Sequence, residues 1–240
     1  MEEIVFVDVD TQEDFMSKAG ALYIPGAEMI KQKLYFLTKC ALFNKKQPLS
    51  VVAVKDVHLR TDEELKTFQP HCIKGTEGSE KIQETNILKY FINWLDNDFS
   101  SMIVSNDEVL DDFDIECIKN EINYIEIEKN TYNVFTNINA ENILNEIKTA
   151  YVYGVATDYC VKATCIGLRK MKIEVFLVID AIVSINLATE VETLTYLSNL
   201  GVQFISTAQV LNRFGLCIDT YFPPKILVYR EPLWELVKDL

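Results

Sequence analysis

An alternation constrains this chain more than any other feature: short β-rich runs that stop at a polar residue alternate with segments whose apolar residues recur at helical spacing. Ile4 to Val9 is an apolar run ending at Asp10, as expected of a strand covered on both faces. Leu49 to Val54 closes at Lys55 and Asp56, Tyr124 to Ile127 at Lys129, and Ile173 to Ile179 at Asp180. Met102 to Val104, Tyr151 to Val155 and Val202 to Ile205 complete the strand pattern. Between them, Ile30, Leu34, Leu37 and Ala41 predict a helix opened by Pro25-Gly26, and Ile87, Leu88, Phe91 and Leu95 predict another. Ile143, Leu144 and Ile147 mark a further helix face, and Ala188 to Leu200 a helix stopped by Gly201. The acidic stretch Asp107 to Asp114 reads as a loop. Strands alternating with crossover helices imply an α/β protein with three layers, α/β/α, around a mostly parallel central sheet.

At 240 residues, with 49% apolar composition and no internal repeat, the chain is expected to form a single domain with one sizeable core. A net charge of −13 argues against a nucleic-acid partner, since no basic stripe is present to neutralise phosphates. The opening MEEIVFVDVD lacks a basic start and a small-residue cleavage site, and no apolar run approaches the roughly 18 residues of a membrane span, so the expectation is a cytoplasmic protein without a membrane partner. Six cysteines (Cys40, Cys72, Cys117, Cys160, Cys165, Cys217) form neither a CxxC pair nor a dense secreted-type framework and read as reduced thiols.

Ligands of open α/β sheets lie beyond the carboxyl ends of the strands. Asp10, Asp56 with His58, Lys129 and Cys160 all follow predicted strands, so four strand ends deliver a carboxylate, metal-type ligands, an amine and a thiol to one rim. The stretch Tyr151 to Lys170 places Cys160 at the start of a helix with Thr157 or Asp158 in capping position. A thiol there lies near unpaired backbone N–H groups and the positive end of the helix dipole, and with Lys129 as a nearby cation the expectation is a stabilised thiolate. The bland alternative is that Cys160 is a small buried hydrophobe.

Asp10 admits a second reading, because IVFVDVDTQ approaches the DxDx[TV] opening of phosphatases with an aspartyl nucleophile; Thr11 comes one place early, and Gln12 stands where the threonine would be. Asp8 and Asp10 could also simply end a strand. Asp56-x-His58 followed by His71 gathers both histidines of the chain beside a carboxylate, a set able to hold a divalent transition metal while leaving positions for water or substrate. Chance placement in a polar loop remains the alternative.

Four segments together resemble the nicotinamidase and isochorismatase-like cysteine hydrolases, and in particular the nicotinamidase branch: DTQEDF (10–15), KDVH with PHCIKGT (55–58 and 70–76), EKNTYNVF (128–135) and GVATDYCVKAT (154–164). The resemblance spans residues 4 to about 206 and leaves the stretch from Leu211 to Leu240 as a C-terminal extension, whose Phe222-Pro223-Pro224, Trp234, Leu236 and Val237 could cover a subunit face. It implies a catalytic triad of Asp10, Lys129 and Cys160, an oxyanion hole from the amides of Ala156 and Cys160, and a cis peptide at Val155–Ala156. It further implies a metal on Asp56, His58 and His71, zinc before iron or manganese, with Phe15, Phe68, Val155 and Tyr159 lining the substrate. Relatives often continue DxHxxxHxxF, whereas Asp62 stands here in the second histidine position, either lining the metal's waters or reshaping the loop.

The implied activity is metal-dependent deamidation of nicotinamide to nicotinate and ammonia through a cysteine thioester, as in pyridine nucleotide salvage, with pyrazinamide as an analogue and a homo-oligomer as the expected assembly. Two alternatives stay open: hydrolysis of another small amide or carbamoyl compound, such as ureidoacrylate or an N-carbamoyl amine, and a catalytically silent small-molecule binding protein on the same fold.

Overall fold

The structure, a computed structural model, describes residues 3–44, 49–90 and 99–215. Seven strands form one sheet: β1 (Ile4–Val9), β2 (Ser50–Asp56), β3 (Ser101–Val104), β4 (Tyr124–Lys129), β5 (Thr149–Val155), β6 (Glu174–Val183) and β7 (Gln203–Ile205). Their order is β3-β4-β2-β1-β5-β6-β7, and every pairing is parallel. The parallel sheet expected from the alternation is therefore present. Its strands read as near-continuous Val, Ile, Phe and Tyr runs because both faces are covered.

The helices are α1 (Glu13–Met16), α2 (Lys31–Leu42), α3 (Ile87–Tyr90), α4 (Asp112–Glu121), α5 (Ala140–Leu144), α6 (Lys162–Lys170), α7 (Leu187–Asn199) and α8 (Thr207–Arg213). On one face of the sheet, Phe6, Tyr151 and Tyr153 pack with Leu34 and Leu37 of α2 and Val210 and Leu211 of α8. On the other, Val7, Val52, Ile125 and Val152 meet Ile118 of α4, Ile143 of α5, Leu168 of α6 and Leu194 of α7. Among the described residues no helix is long and apolar enough to cross a membrane. The five described cysteines, Cys40, Cys72, Cys117, Cys160 and Cys165, are all free thiols. Phe91, Leu95, Cys217 and the C-terminal stretch beyond Gly215, including Phe222, Trp234, Leu236 and Val237, lie outside the described residues.

Three sequence expectations need correction. The acidic stretch 107–114 is not a loop throughout: Asp111 accepts from the Asp114 amide and Asp114 reaches back to the Asp111 amide, a reciprocal cap that starts α4 at Asp112. Strand β6 does not stop at Asp180 but runs on to Val183. Asp180 is tolerated mid-strand because Lys33 pairs with it at 3.1 Å and the Thr207 amide and hydroxyl donate to it. Neither Thr157 nor Asp158 caps a helix at Cys160; one π-helical turn, Thr157–Val161, leads from Ala156 into α6, and Asp158 instead accepts from the amides of Ile185 and Asn186 and from the Thr189 hydroxyl.

Strands β5 and β1 approach closely beside Asp10. Gly154 has φ 117°, and a Cβ added there would lie 2.0 Å from the carbonyl oxygen of Val9. Only glycine lets β5 approach β1 so closely at this point. Gly154→Ala is expected to lower the unfolding free energy by about 2–4 kcal/mol, read by urea denaturation, and a variant as stable as the parent would contradict that packing.

Candidate active site

The carboxyl ends of β1, β2, β4 and β5 converge on one buried charge cluster. Register pairs Asp56 with Lys129 across β2 and β4, while Val9 is aligned with Val54 on one side and Gly154 on the other. Residues distant in sequence are thereby brought to one level of the rim. The Lys129 ammonium lies 2.9 Å from Asp10 Oδ2, 3.1 Å from Asp56 Oδ1 and 3.9 Å from Cys160 Sγ. Asp10 and Lys129 are fully buried and Cys160 is only 8% exposed. Asp10 has φ 50°, a left-handed conformation uncommon for a residue with a side chain. The Val155–Ala156 peptide is cis.

Burial governs the protonation of these groups. It raises the Asp10 carboxyl above its ordinary value, with Lys129 pulling the other way and Asp56 adding to the rise. Burial also pushes the Cys160 thiol well above its usual range; the neighbouring Asp10 reinforces this, and Lys129 only partly offsets it. Burial therefore opposes the thiolate that the ammonium and the helix start favour. Removing the sulfur from water disfavours the anion, and Lys129 returns only part of that cost. Lys129 itself is held charged: burial works against it, but Asp10 and Asp56 outweigh burial and raise it well above the ordinary lysine value.

A second cluster adjoins the first through Asp56. Its Oδ2 lies 3.2 Å from His58 Nε2 and 3.2 Å from His71 Nε2. His71 Nδ1 donates to the carbonyl of Gln69 at 2.8 Å, and His58 Nδ1 faces the Asp62 carboxylate at 3.2 Å. Both imidazoles are thereby oriented through Nδ1, leaving the two Nε2 lone pairs aimed at a carboxylate oxygen. Three electron-rich atoms converging in a buried place call for a cation, and a carbonyl or carboxylate behind each imidazole is the usual support of a metal ligand. Glu64 completes the group, with ligand atoms from Asp56, His58, Glu64 and His71 all within 4.8 Å of one another. Burial works to raise the Asp56 carboxyl, but Lys129 and the two imidazoles outweigh it and hold the group well below the usual carboxylate range.

Asp62, the departure from the related pattern, faces His58 Nδ1 at 3.2 Å and accepts from the Leu59 amide at 2.9 Å, so it buttresses His58 from behind. Glu64 was not anticipated. It is one of three consecutive acids, Asp62-Glu63-Glu64, and nothing in the sequence says which of them turns inward.

Both clusters lie at the foot of a cavity enclosing about 350 Å³ of empty space, its open mouth included. The anticipated Phe15, Phe68, Ala156, Tyr159, Cys160, Asp56 and His71 line it, joined by Leu22, Ile24, Glu64, Tyr132 and Ile185. Phe68 stands edge-on to Tyr159 with centroids 5.6 Å apart, and Phe15 contacts the His71 ring at 5.3 Å. Asp10, Lys129 and His58 lie beneath this lining. Val155 is buried in the sheet and is not part of it. Among the described residues no lysine or arginine lines the cavity, whereas two carboxylates do.

Comparison with known proteins follows this geometry. Residues 93–209 match the family model of the isochorismatase domain. A search of curated proteins gives no match. Among solved structures, the chain is similar to the nicotinamidase PncA of Bacillus subtilis (24% identity, 85% of this chain and 100% of that one, TM-score 0.66). It is also similar to the pyrazinamidase of Pyrococcus horikoshii in complex with zinc (24% identity, 85% and 99% covered, TM-score 0.63). The N-carbamoylsarcosine amidase of Thermoplasma acidophilum superposes as well (21% identity, 86% and 97% covered, TM-score 0.59).

Proposed function

We propose that the chain, which matches the isochorismatase-domain model over residues 93–209 and shares the fold of a solved nicotinamidase, is a metal-dependent cysteine amidohydrolase that deamidates nicotinamide or a close heteroaromatic amide. The observation that carries this reading is the convergence of Asp10, Lys129 and Cys160 at the foot of an aromatic-walled cavity whose flank bears Asp56, His58, Glu64 and His71.

In this reading Cys160 is the nucleophile. Its proton passes to Asp10 as sulfur attacks the amide carbonyl, so the thiolate exists only as the new S–C bond forms. The amides of Ala156 and Cys160 act as the oxyanion donors, each such donor being worth about 3–4 kcal/mol in the transition state. Asp10 then gives its proton to the departing nitrogen, and ammonia leaves a thioester on Cys160. Water, deprotonated by Asp10, cleaves the thioester; the carboxylic acid departs and the sulfur regains its proton from Asp10. Lys129 stays charged throughout and keeps Asp10 anionic enough to accept each proton despite its burial.

The donor set fits a divalent transition metal, zinc before iron or manganese, held by Asp56, His58 and His71 with Glu64 at its side. Such an ion, when bound, supplies an electrophilic anchor for a ring nitrogen. In this reading Phe15 and Phe68 flank the ring and Tyr159 bounds it, all three being among the residues that line the cavity.

The lining separates this reading from its nearest rival: N-carbamoyl acids carry a carboxylate, and among the described residues no lysine or arginine lines the cavity to pair with one. Ammonia release should therefore be found with nicotinamide and pyrazinamide, fall at least about tenfold with benzamide, which lacks the ring nitrogen, and be absent with N-carbamoylsarcosine. Turnover of the N-carbamoyl acid in preference to every pyridine amide would overturn the assignment.

A further inference from the structure

A second ion pair is sealed beneath the loop that carries Asp10. Asp8 occupies a core position of β1, on the same side of the strand as Phe6, where an apolar residue would be the ordinary choice. Its Oδ2 lies 2.8 Å from the ammonium of Lys81, and both side chains are almost wholly buried. Thr11 is the hub: its hydroxyl is 2.8 Å from Asp8 Oδ1, 2.9 Å from Lys81 Nζ and 2.7 Å from the Thr85 hydroxyl. Thr11 and Thr85 are fully buried. The backbone repeats the connection, with the Ile82 amide donating to the Thr11 carbonyl and the Glu13 amide to the Glu80 carbonyl. One residue further on, the Gln12 side chain bonds both the amide and the carbonyl of Asp56 at 2.7 Å.

For stability alone, apolar residues of similar volume would serve as well as a desolvated ion pair, and often better. What the pair provides is a single admissible arrangement of the 10–12 loop. That loop needs one. Asp10 sits at φ 50°, and the Gln12 amide folds back onto the Asp10 carbonyl at 2.8 Å, so the turn is tight and unfavourable in isolation. Local rules broken at one spot, with the surroundings over-determining the result, are what a site under functional constraint displays.

We infer that Asp8, Lys81, Thr11 and Thr85 form a positioning lock that holds Asp10 where it can take the proton of Cys160. The inference rests on the proposed chemistry only in making Asp10 the acceptor. The lock works through the backbone: Thr11 ties the residue after Asp10 to the 81–85 segment, and Lys81 neutralises Asp8 so that both can remain buried.

The test reads Cys160 directly, without an amide substrate. Iodoacetamide alkylates the thiol by forming an S–CH2 bond with loss of iodide, while the thiol proton passes to Asp10; the rate is followed at the peptide carrying Cys160, with Asp10→Asn as reference. Thr11→Val keeps the side-chain shape and removes the hub. It should slow alkylation about tenfold at neutral pH, with kcat for ammonia release falling in parallel and KM within twofold. Asp8→Asn with Lys81→Gln removes both charges together, leaves no orphan ion, and should give the same pattern if Thr11→Val does not fold. Alkylation and kcat at parental rates in either folded variant, even with a lowered melting temperature, would reduce the cluster to a structural element and overturn the inference. If the parent alkylates in an Asp10-dependent way that both variants slow, yet releases no ammonia from any amide, the lock stands and the proposed function falls.

Discussion

Replacing Cys160 with alanine is expected to lower ammonia release by at least about 10⁴-fold, the scale seen when a catalytic nucleophile is removed and only binding and oxyanion contacts remain. The protein should stay folded, because the exchange removes one sulfur from a site already bordered by Phe15, Ile24 and Ala156. Steady-state kinetics beside a thermal melt checks both halves of the statement. The variant should still bind the amide, since the aromatic walls and the metal donors are untouched. Turnover near the parental level would remove the sulfur from the mechanism.

Stripping the protein with a chelator should reduce activity to a tenth or less, and added zinc, manganese or iron(II) should restore it. The structural reason is the convergence of His58 Nε2 and His71 Nε2 on Asp56 Oδ2, an arrangement that leaves three electron-rich atoms facing one another. Asp62→Asn sharpens the test. It leaves every proposed ligand in place but weakens the acceptor behind His58, and should cost about tenfold to a hundredfold in zinc affinity by calorimetric titration. Activity indifferent to chelation, with no zinc binding, would move the assignment toward metal-free hydrolysis of a carbamoyl compound.

The sheet was legible in the sequence because its strands are buried on both faces and end abruptly. Val9–Asp10, Val54–Asp56 and Ile127–Lys129 each pass from apolar to charged within two residues, and the structure places all three at the same rim. Burial of the charged residues themselves was not legible. No pattern in GVATDYC announces that Cys160 loses its water, and that loss is what pushes its thiol up. Glu64 escaped for a related reason: in a run of three acids the sequence cannot show which one turns inward. The helix at Asp112 was hidden because acids that favour loops also make good caps, and only the reciprocal bonds of Asp111 and Asp114 decide between the two. Asp8 reads in isolation as a flaw in a strand, and its partner Lys81 lies more than seventy positions away.

The groups proposed to react lie at the ends of β1, β4 and β5, neighbours or near neighbours in space yet far apart along the chain. Parallel pairings between such distant segments close large loops and are among the slow contacts of a folding chain. Until β5 docks against β1, Cys160 has no acid to receive its proton and no shaped cavity above it. Hydrolytic competence should therefore emerge in one late step during refolding, trailing the recovery of helical circular dichroism, and the nascent polypeptide would carry an inert sulfur until its last long-range pairing is made.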